Sequence, residues 1–355
     1  MSVSQKYHEA YHNSFLASVE RNQIPMSRFL LTGLYLLHVF YKPFKIYTSK
    51  FIHLQYAFDK TDPNTKYDIG FDDIYYVINW VISLTFLRSF IMQYILSPCA
   101  FKFFKIRSTN ARIRFAEQGW SFIYYSSSFL YGIYLYYHSP YYFNVDNIYI
   151  GWPHNQLTPD FKRFYLISIA FWIQQIFVLN IEKPRKDHYQ MFSHHIITCL
   201  LIIGSYYYYF VNIGHMILMI MDSVDINLAA AKMLKYAGFS ASCDAMFIFF
   251  LISWVALRHG VYNYLFYHAW TRAKFLMPDG ECVPGIHQKR CWTPTVVNIF
   301  LTLLGGLQII TIIWMYLIMK VAYKVVTGTG AEDVRSDDDD TDVEDEDKTD
   351  RKKKD

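Results

Sequence analysis

HYQMFSHHIITCLLIIGSYYYYF, residues 188–210, runs without a break into VNIGHMILMIMDSVDINLAAAKMLKYAG, residues 211–238, and the fold turns on how these two runs are read. Each is long and apolar enough to cross about 30 Å of hydrocarbon as a helix rising about 1.5 Å per residue. Yet the first holds adjacent His194 and His195, and the second holds Asp222 and Asp225 three residues apart, hence on one face. His215 lies seven residues before Asp222 and Lys232 seven after Asp225, so the polar groups form a stripe. An Asp at the bilayer centre costs at least about 2.5–3.5 kcal/mol on insertion scales, so such residues mark function by default. The competing reading is a buried polar network that only sets helix register.

Working outward, the 355 residues are 53% hydrophobic and 19% aromatic, and the apolar residues come in runs near twenty long. Tyr and Trp gather at the ends of those runs, as they do at headgroup depth. The expected spans are Ser27–Lys42, Ile74–Leu96, Trp120–Tyr137, Phe164–Ile181, Met191–Phe210, Val211–Tyr236, Ala245–Tyr267 and Thr295–Val325. The first is short and ends near Pro43, so seven or eight spans are expected, in an all-α polytopic membrane bundle. MSVSQKYHEAYHNSF at the N-terminus lacks the apolar run of a cleavable signal, so an internal span should drive insertion. No internal repeat and no broken helix pair suggests a channel or transporter.

Charge is distributed unevenly. From Glu332 onward there are 13 acids and 6 bases, a net of −7, which leaves +11 on the remainder of a chain whose total is +4. The acidic block has no aromatics and is expected to be a disordered tail. The positive charges sit in short loops, which argues for membrane orientation and against nucleic acid as a partner. Lys102, Lys105, Arg107, Arg112 and Arg114 follow the second span, and Lys183, Arg185 and Lys186 follow the fourth. Between these groups, Tyr141–Asp160 has no Lys or Arg, so the basic loops and the C-terminus are expected in the cytosol. Lysines in Tyr47–Tyr67 and Thr271–Arg290 run against this assignment.

The chemistry that suits the histidines is proton transfer or nucleophilic attack on a lipid substrate. An imidazole takes a proton near neutral pH, and a neighbouring carboxylate fixes its tautomer. The same ring could attack a thioester and hold the acyl group. Adjacent helical residues point about 100° apart, so the pair is poorly placed to chelate one ion, and no metal is expected. Arg258, within a span, could meet the phosphates of a coenzyme A ligand or pair with an acid in the bundle. Arg88 is expected to pair or snorkel. Gln174 and Gln175 are expected to bond between helices. Ser205, His215, Lys232 and Arg258 complete the candidate substrate contacts, although His215 near a span end also reads as a satisfied interfacial histidine. Cys282 and Cys291, with eight residues between them in one hydrophilic loop, permit a disulfide if that loop is lumenal. Cys99, Cys199 and Cys243 read as packing residues.

At the two-run stretch the sequence resembles the ceramide synthases of the TRAM-LAG1-CLN8 domain family, whose motif has adjacent histidines before a D-x-x-D element and a later lysine. FAEQGWSFIYYSSSF (115–129), GWPH (151–154), EKPRKDHY (182–189), SWVALRH (253–259), KRCW (289–292) and DVRSDDDD (333–340) extend the similarity, particularly to fungal members. Animal members often place a His before the first Asp, where this chain has Met221. The resemblance implies three parts: 1–110 with the first one or two spans, a catalytic domain over 111–328, and the tail 329–355. It implies six helices forming a barrel around a lipid cavity in the endoplasmic reticulum membrane. The implied activity is N-acylation of a long-chain sphingoid base by fatty acyl-CoA, a co-substrate, with no resident cofactor. His194 and His195 match the essential pair and Asp222 and Asp225 the two acids. A small single-span regulatory subunit and a homo- or hetero-dimer with a paralogue are the implied protein partners. A non-catalytic lipid-sensing or translocon-associated relative is the alternative, and the intact His-His and Asp-x-x-Asp elements argue against it. In the tail, Ser336 and Thr341 precede acids as kinase sites do, and the terminal KKKD fits a cytosolic dilysine retrieval signal.

Overall fold

The computed structural model describes residues 18–327 apart from 20, 182–186, 278–279 and 284–290. Ser336, Thr341 and the terminal lysines lie outside the described residues, as do Lys183, Arg185 and Lys186. The chain is all-α. Its helices are α1 (Gln23–Phe40), α2 (Lys45–Ile52), α3 (Asp73–Phe90) and α4 (Ser97–Lys102), the last two joined by a π segment, Ile91–Leu96. There follow α5 (Thr109–Tyr137), α6 (Pro159–Ile181), α7 (His188–Tyr207) and α8 (Val211–Tyr236). α9 (Ser240–Ser253) passes through a second π segment, Trp254–Val261, into α10 (Tyr262–Thr271), and α11 (Ala273–Leu276) and α12 (Pro294–Val326) complete the order. Among the described residues only isolated β bridges occur, such as Tyr67 with Leu157.

Among the described residues, four helical stretches are long and apolar enough to cross a membrane: Asp73–Lys102, Pro159–Ile181, Ser240–Thr271 and Pro294–Tyr323. α5, α7 and α8, with 29, 20 and 26 residues, are comparable in length, but their polar residues lower their hydropathy. Large apolar side chains point outward from many helices, among them Phe29 and Phe40 of α1 and Ile309 and Tyr316 of α12. In water that surface would aggregate, whereas in lipid it needs no cover. The chain is a membrane protein. One boundary differs from expectation. The basic stretch at Arg112 and Arg114 belongs to α5, which starts at an N-cap by Ser108, and Arg114 pairs with Glu117 one turn on at 3.1 Å. Long cationic side chains let a helix run on past the hydrocarbon.

α8 sits at the centre, packed most extensively on α5 and next on α9. Lipid tails are as apolar as the helices, so close approach and hydrogen bonds decide the packing. Gly214 is an instance: a Cβ there would collide with the Tyr165 hydroxyl, which passes α8 to share a short hydrogen bond with Ser205 of α7. α6 stacks Phe171 flat on Tyr124 of α5. Gln174 and Gln175, expected to bond across helices, bond each other at 3.0 Å.

One end of the bundle is closed by a polar node. Lys162 of α6 is fully buried, and its Nζ donates to the Gln55 and Asp68 carbonyls at 2.8 and 2.7 Å and pairs with Asp73 at 2.8 Å. Asp73 accepts from Tyr206 at 2.8 Å, and the Tyr209 hydroxyl donates to Asp68 at 2.5 Å. A buried ammonium is tolerated only when its donors are used, and here they are. Nearby, Trp152 Nε1 donates to the Tyr208 carbonyl at 3.1 Å, and Asp146 pairs with His268 at 2.7 Å and with Arg272 at 3.3 Å. The His268 hydrogen bond holds the Asp146 carboxyl below the ordinary carboxylate range. Cys282 and Cys291 are joined by a disulfide, and the adjacent Trp292 Nε1 donates to the Met277 carbonyl at 3.0 Å.

Candidate active site

Between α6, α7, α8, the α9–α10 rod and α12 lies a cavity enclosing about 960 Å³ of empty space, counting its open part. Its walls are almost wholly apolar, with Leu201, Ile217, Leu218, Leu304 and Leu307 among them. Polar side chains enter at few points, and the ionisable His194, Asp225 and Arg258 share the end away from the Lys162 node. Along α8 the lining runs from Phe210 to Asp225, fifteen residue steps, or about 22 Å at the rise of an α-helix.

The histidine pair is divided by helix geometry. His194 lines the cavity, its ring set edge-on to Trp172 of α6 and Trp314 of α12 at centroid distances of 5.6 and 5.1 Å. Its Nδ1 is buried with no hydrogen-bond partner. His195 is outside the lining and only 5% exposed. Its Nδ1 lies 2.6 Å from the Met191 carbonyl, which can only accept, so the proton is on Nδ1 and the lone pair on Nε2. Two tryptophans thus hold one ring in an apolar slot, while a backbone bond fixes the other.

The acids divide in the same way. Asp225 lines the cavity and takes a 2.7 Å charge-assisted hydrogen bond from Arg258, whose guanidinium also donates to the Met221 carbonyl at 3.4 Å. That guanidinium lies 4.2 Å from the Trp254 ring centroid, in cation–π contact. Arg258 and Trp254 both belong to the π segment. The i→i+5 bonding of a π turn inserts an extra residue and re-aims the side chains, a device frequent at functional sites. Asp222 is 3% exposed, lies outside the lining and faces α5 within electrostatic reach of Ser128. The residues present bring no group of three or more His, Cys, Asp or Glu together among the described residues.

Of the other candidates, Ser205 is brought to the cavity wall, bonded to Tyr165 and to the Ile202 carbonyl. Lys232 is within electrostatic reach of Asp225 but does not line the cavity. His215 is away from it too. It is fully buried rather than interfacial, donating through Nε2 to the Gly132 carbonyl at 3.0 Å and accepting at Nδ1 from Tyr141 at 2.8 Å. With both nitrogens used, it is a strut between α5, α8 and the 138–158 loop. Arg88 is buried and partnered outside the cavity.

Sequence reasoning missed Trp172, Trp314 and Thr198, all adjoining His194 in space or on its helix face. For Thr198 a signal existed: it stands four residues after His194, hence on the same side of α7. The tryptophans carried none, because which aromatic meets which face is decided only by packing.

Residues 114–320 match the TLC domain. Sphingosine N-acyltransferase lag1 of Schizosaccharomyces pombe (strain 972 / ATCC 24843) is 39% identical over 302 residues, covering 84% of this chain and 75% of the relative. Ceramide Synthase FUM18 of Gibberella moniliformis (strain M3125 / FGSC 7600) is 32% identical over 334 residues, 87% of this chain and 77% of its own. Ceramide synthase LAG1 of Saccharomyces cerevisiae (strain ATCC 204508 / S288c) is 32% identical over 296 residues, 81% and 69% respectively. With the family domain matched over most of the helical bundle, and relatives this similar along most of both chains, the chain belongs to the TLC domain family, within its ceramide synthase (sphingosine N-acyltransferase) group.

Proposed function

We propose that this chain is a ceramide synthase, joining the amine of a long-chain sphingoid base to the acyl group of a fatty acyl-CoA. The observation that carries the reading is one apolar cavity with His194, Asp225 and Arg258 at the same end. An acyl chain needs the length of dry wall that α8 and α12 supply, and the thioester then lies at the polar end. The amine nitrogen attacks the thioester carbonyl, and the C–S bond breaks. His194 either takes the proton from the amine or first accepts the acyl group itself; both roles use a ring nitrogen free of protein partners. Asp225, held by Arg258, orients and balances charge as the ammonium approaches. His195 and Asp222 act from behind the wall as positioning groups: one sets the pitch of His194 on α7, the other sits where α8 packs on α5.

The wider arrangement belongs to the same proposal. Seven or eight spans, six of them around the cavity, suit the helix lengths. The disulfide at the Lys162 end suits an oxidising lumen, which supports a topology with His194 and the C-terminus on the cytosolic side of the endoplasmic reticulum membrane, where acyl-CoA is met. Kinase sites at Ser336 and Thr341, a retrieval signal in the terminal lysines, a small single-span subunit and pairing with a second copy or paralogue complete it.

The test is an assay of the purified chain with dihydrosphingosine and a ladder of acyl-CoAs. Amide formation that depends on both substrates and vanishes in His194→Ala is expected. Absence of any amide from well-folded wild-type protein would defeat the reading.

A further inference from the structure

The buried polar atoms without partners are unevenly spread, and two of them, His194 Nδ1 and Thr198 Oγ1, belong to cavity-lining residues one turn apart on α7. Residues four apart on a helix face bring their Cβ atoms within about 5–6 Å of each other. A helical Ser or Thr usually quiets its hydroxyl by donating to the carbonyl one turn back. Ser193 does so to Tyr189 at 2.9 Å, Ser168 to Phe164 at 2.8 Å and Thr302 to Asn298 at 2.8 Å. Thr198 is 8% exposed, yet among the described residues it is the one buried Ser or Thr whose hydroxyl makes no bond. Leaving a buried donor unused is costly, so such a group is retained where a ligand completes it.

We propose that the Thr198 hydroxyl is the hydrogen-bond donor to the acyl carbonyl oxygen during transfer, a catalytic group additional to the histidines and acids. This rests on the acyltransferase reading above. As the amine nitrogen bonds to the carbonyl carbon, the C=O π pair moves onto oxygen, and Thr198 donates to that oxyanion while keeping its own proton. When the pair returns, the C–S bond breaks, and coenzyme A leaves as a thiolate that takes up the proton released from nitrogen. If His194 carries the acyl group between two steps, the same oxygen becomes an oxyanion in each, and the donor serves both. The cavity is walled almost wholly by apolar side chains, and in such low-polarity surroundings one aimed donor outweighs the same bond in water.

The experiment uses purified full-length chain with dihydrosphingosine and acyl-CoA, comparing wild type, Thr198→Val and Thr198→Ser. Valine keeps the shape and removes only the hydroxyl. A donor engaged in the transition state predicts a fall in kcat of about 10²–10³-fold, with KM for acyl-CoA changed by no more than about threefold. Because the hydroxyl has no protein partner to lose, Thr198→Val should melt at or above the wild-type Tm, and Thr198→Ser should stay within about tenfold of wild-type kcat. A fall of less than about tenfold in Thr198→Val, or a fall accompanied by a lower Tm or shared by Thr198→Ser, overturns the assignment. Wild-type protein that forms no amide defeats the acyltransferase reading itself. Active wild type with a neutral Thr198→Val defeats this assignment alone.

Discussion

Replacing Arg258 by Met should destabilise the bundle by about 3–5 kcal/mol, the cost of leaving one partner of a buried ion pair uncompensated. The lower part of that range applies. The Arg258 side chain is 5% exposed but Asp225 keeps 21% of its surface open toward the cavity, so the orphaned carboxylate recovers some solvation. The lost contact between the guanidinium and Trp254 adds about 0.5–2 kcal/mol in the same direction. Methionine fills much of the arginine stem, so little cavity cost is added. Adding Asp225→Asn removes the stranded charge and should restore most of the loss, giving a coupling of at least about 2 kcal/mol between the two positions. Acyl transfer should be lost in both single variants and in the double, since stability returns without the carboxylate. Thermal unfolding in detergent, followed through intrinsic tryptophan fluorescence, measures the four proteins, and the amide assay runs beside it. If Arg258→Met and the double variant melt together, the pair contributes nothing to stability and the reasoning fails. If the double variant regains turnover, Asp225 has no charged role.

His194→Ala should lower kcat by at least about 10²–10⁴-fold without lowering expression, whereas His195→Ala should lose stability as well as activity because a fixed, buried ring is removed; amide formation and Tm measured on the same preparations separate the two. Lys162→Met strands Asp73 and two carbonyls, and should cost about 3–5 kcal/mol while leaving the cavity end intact, which limited proteolysis of the 53–72 loop would detect. His154 makes a pH prediction. Its Nε2 donates to the Ile148 carbonyl at 3.0 Å, and burial pushes its pKa below the ordinary imidazole value of 6.5. The unfolded loop therefore binds more protons than the folded one below about pH 6.5, so the stability this neutral ring confers is present above that pH and is lost as pH falls through the depressed value. Amide exchange over residues 148–158 should quicken on going from pH 7.5 to 5.5 once intrinsic rates are corrected, and His154→Gln should flatten the response.

What could be read from residues alone was what depends on local composition. The apolar runs placed the helices, and the cost of charge in hydrocarbon picked out His194, Asp222, Asp225 and Arg258 without any contact being known. Adjacency on a helix also foretold that the two histidines diverge, though not which one faces the cavity. The remainder depends on partners distant in sequence. Arg258 reaches Asp225, 33 residues away, through a π turn that no propensity in SWVALRH announces. His215 looked interfacial because its hydroxyl partner, Tyr141, is 74 residues off in a loop. Nothing in the residues around Lys162 marked it for burial, which follows from two carbonyls about a hundred residues earlier.

The Lys162 node also bears on the order in which the chain can be built. Gln55, Asp68 and Asp73 are synthesised first, Lys162 well after them, and Tyr206 and Tyr209 later still, so the node cannot close until the ribosome has passed residue 209. Until then Asp73 and Asp68 lack the hydroxyls of Tyr206 and Tyr209 that they accept from in the folded chain. Insertion of α7 is thus the event that locks the earlier helices, and a nascent chain halted short of it carries an unsealed end for quality control to find.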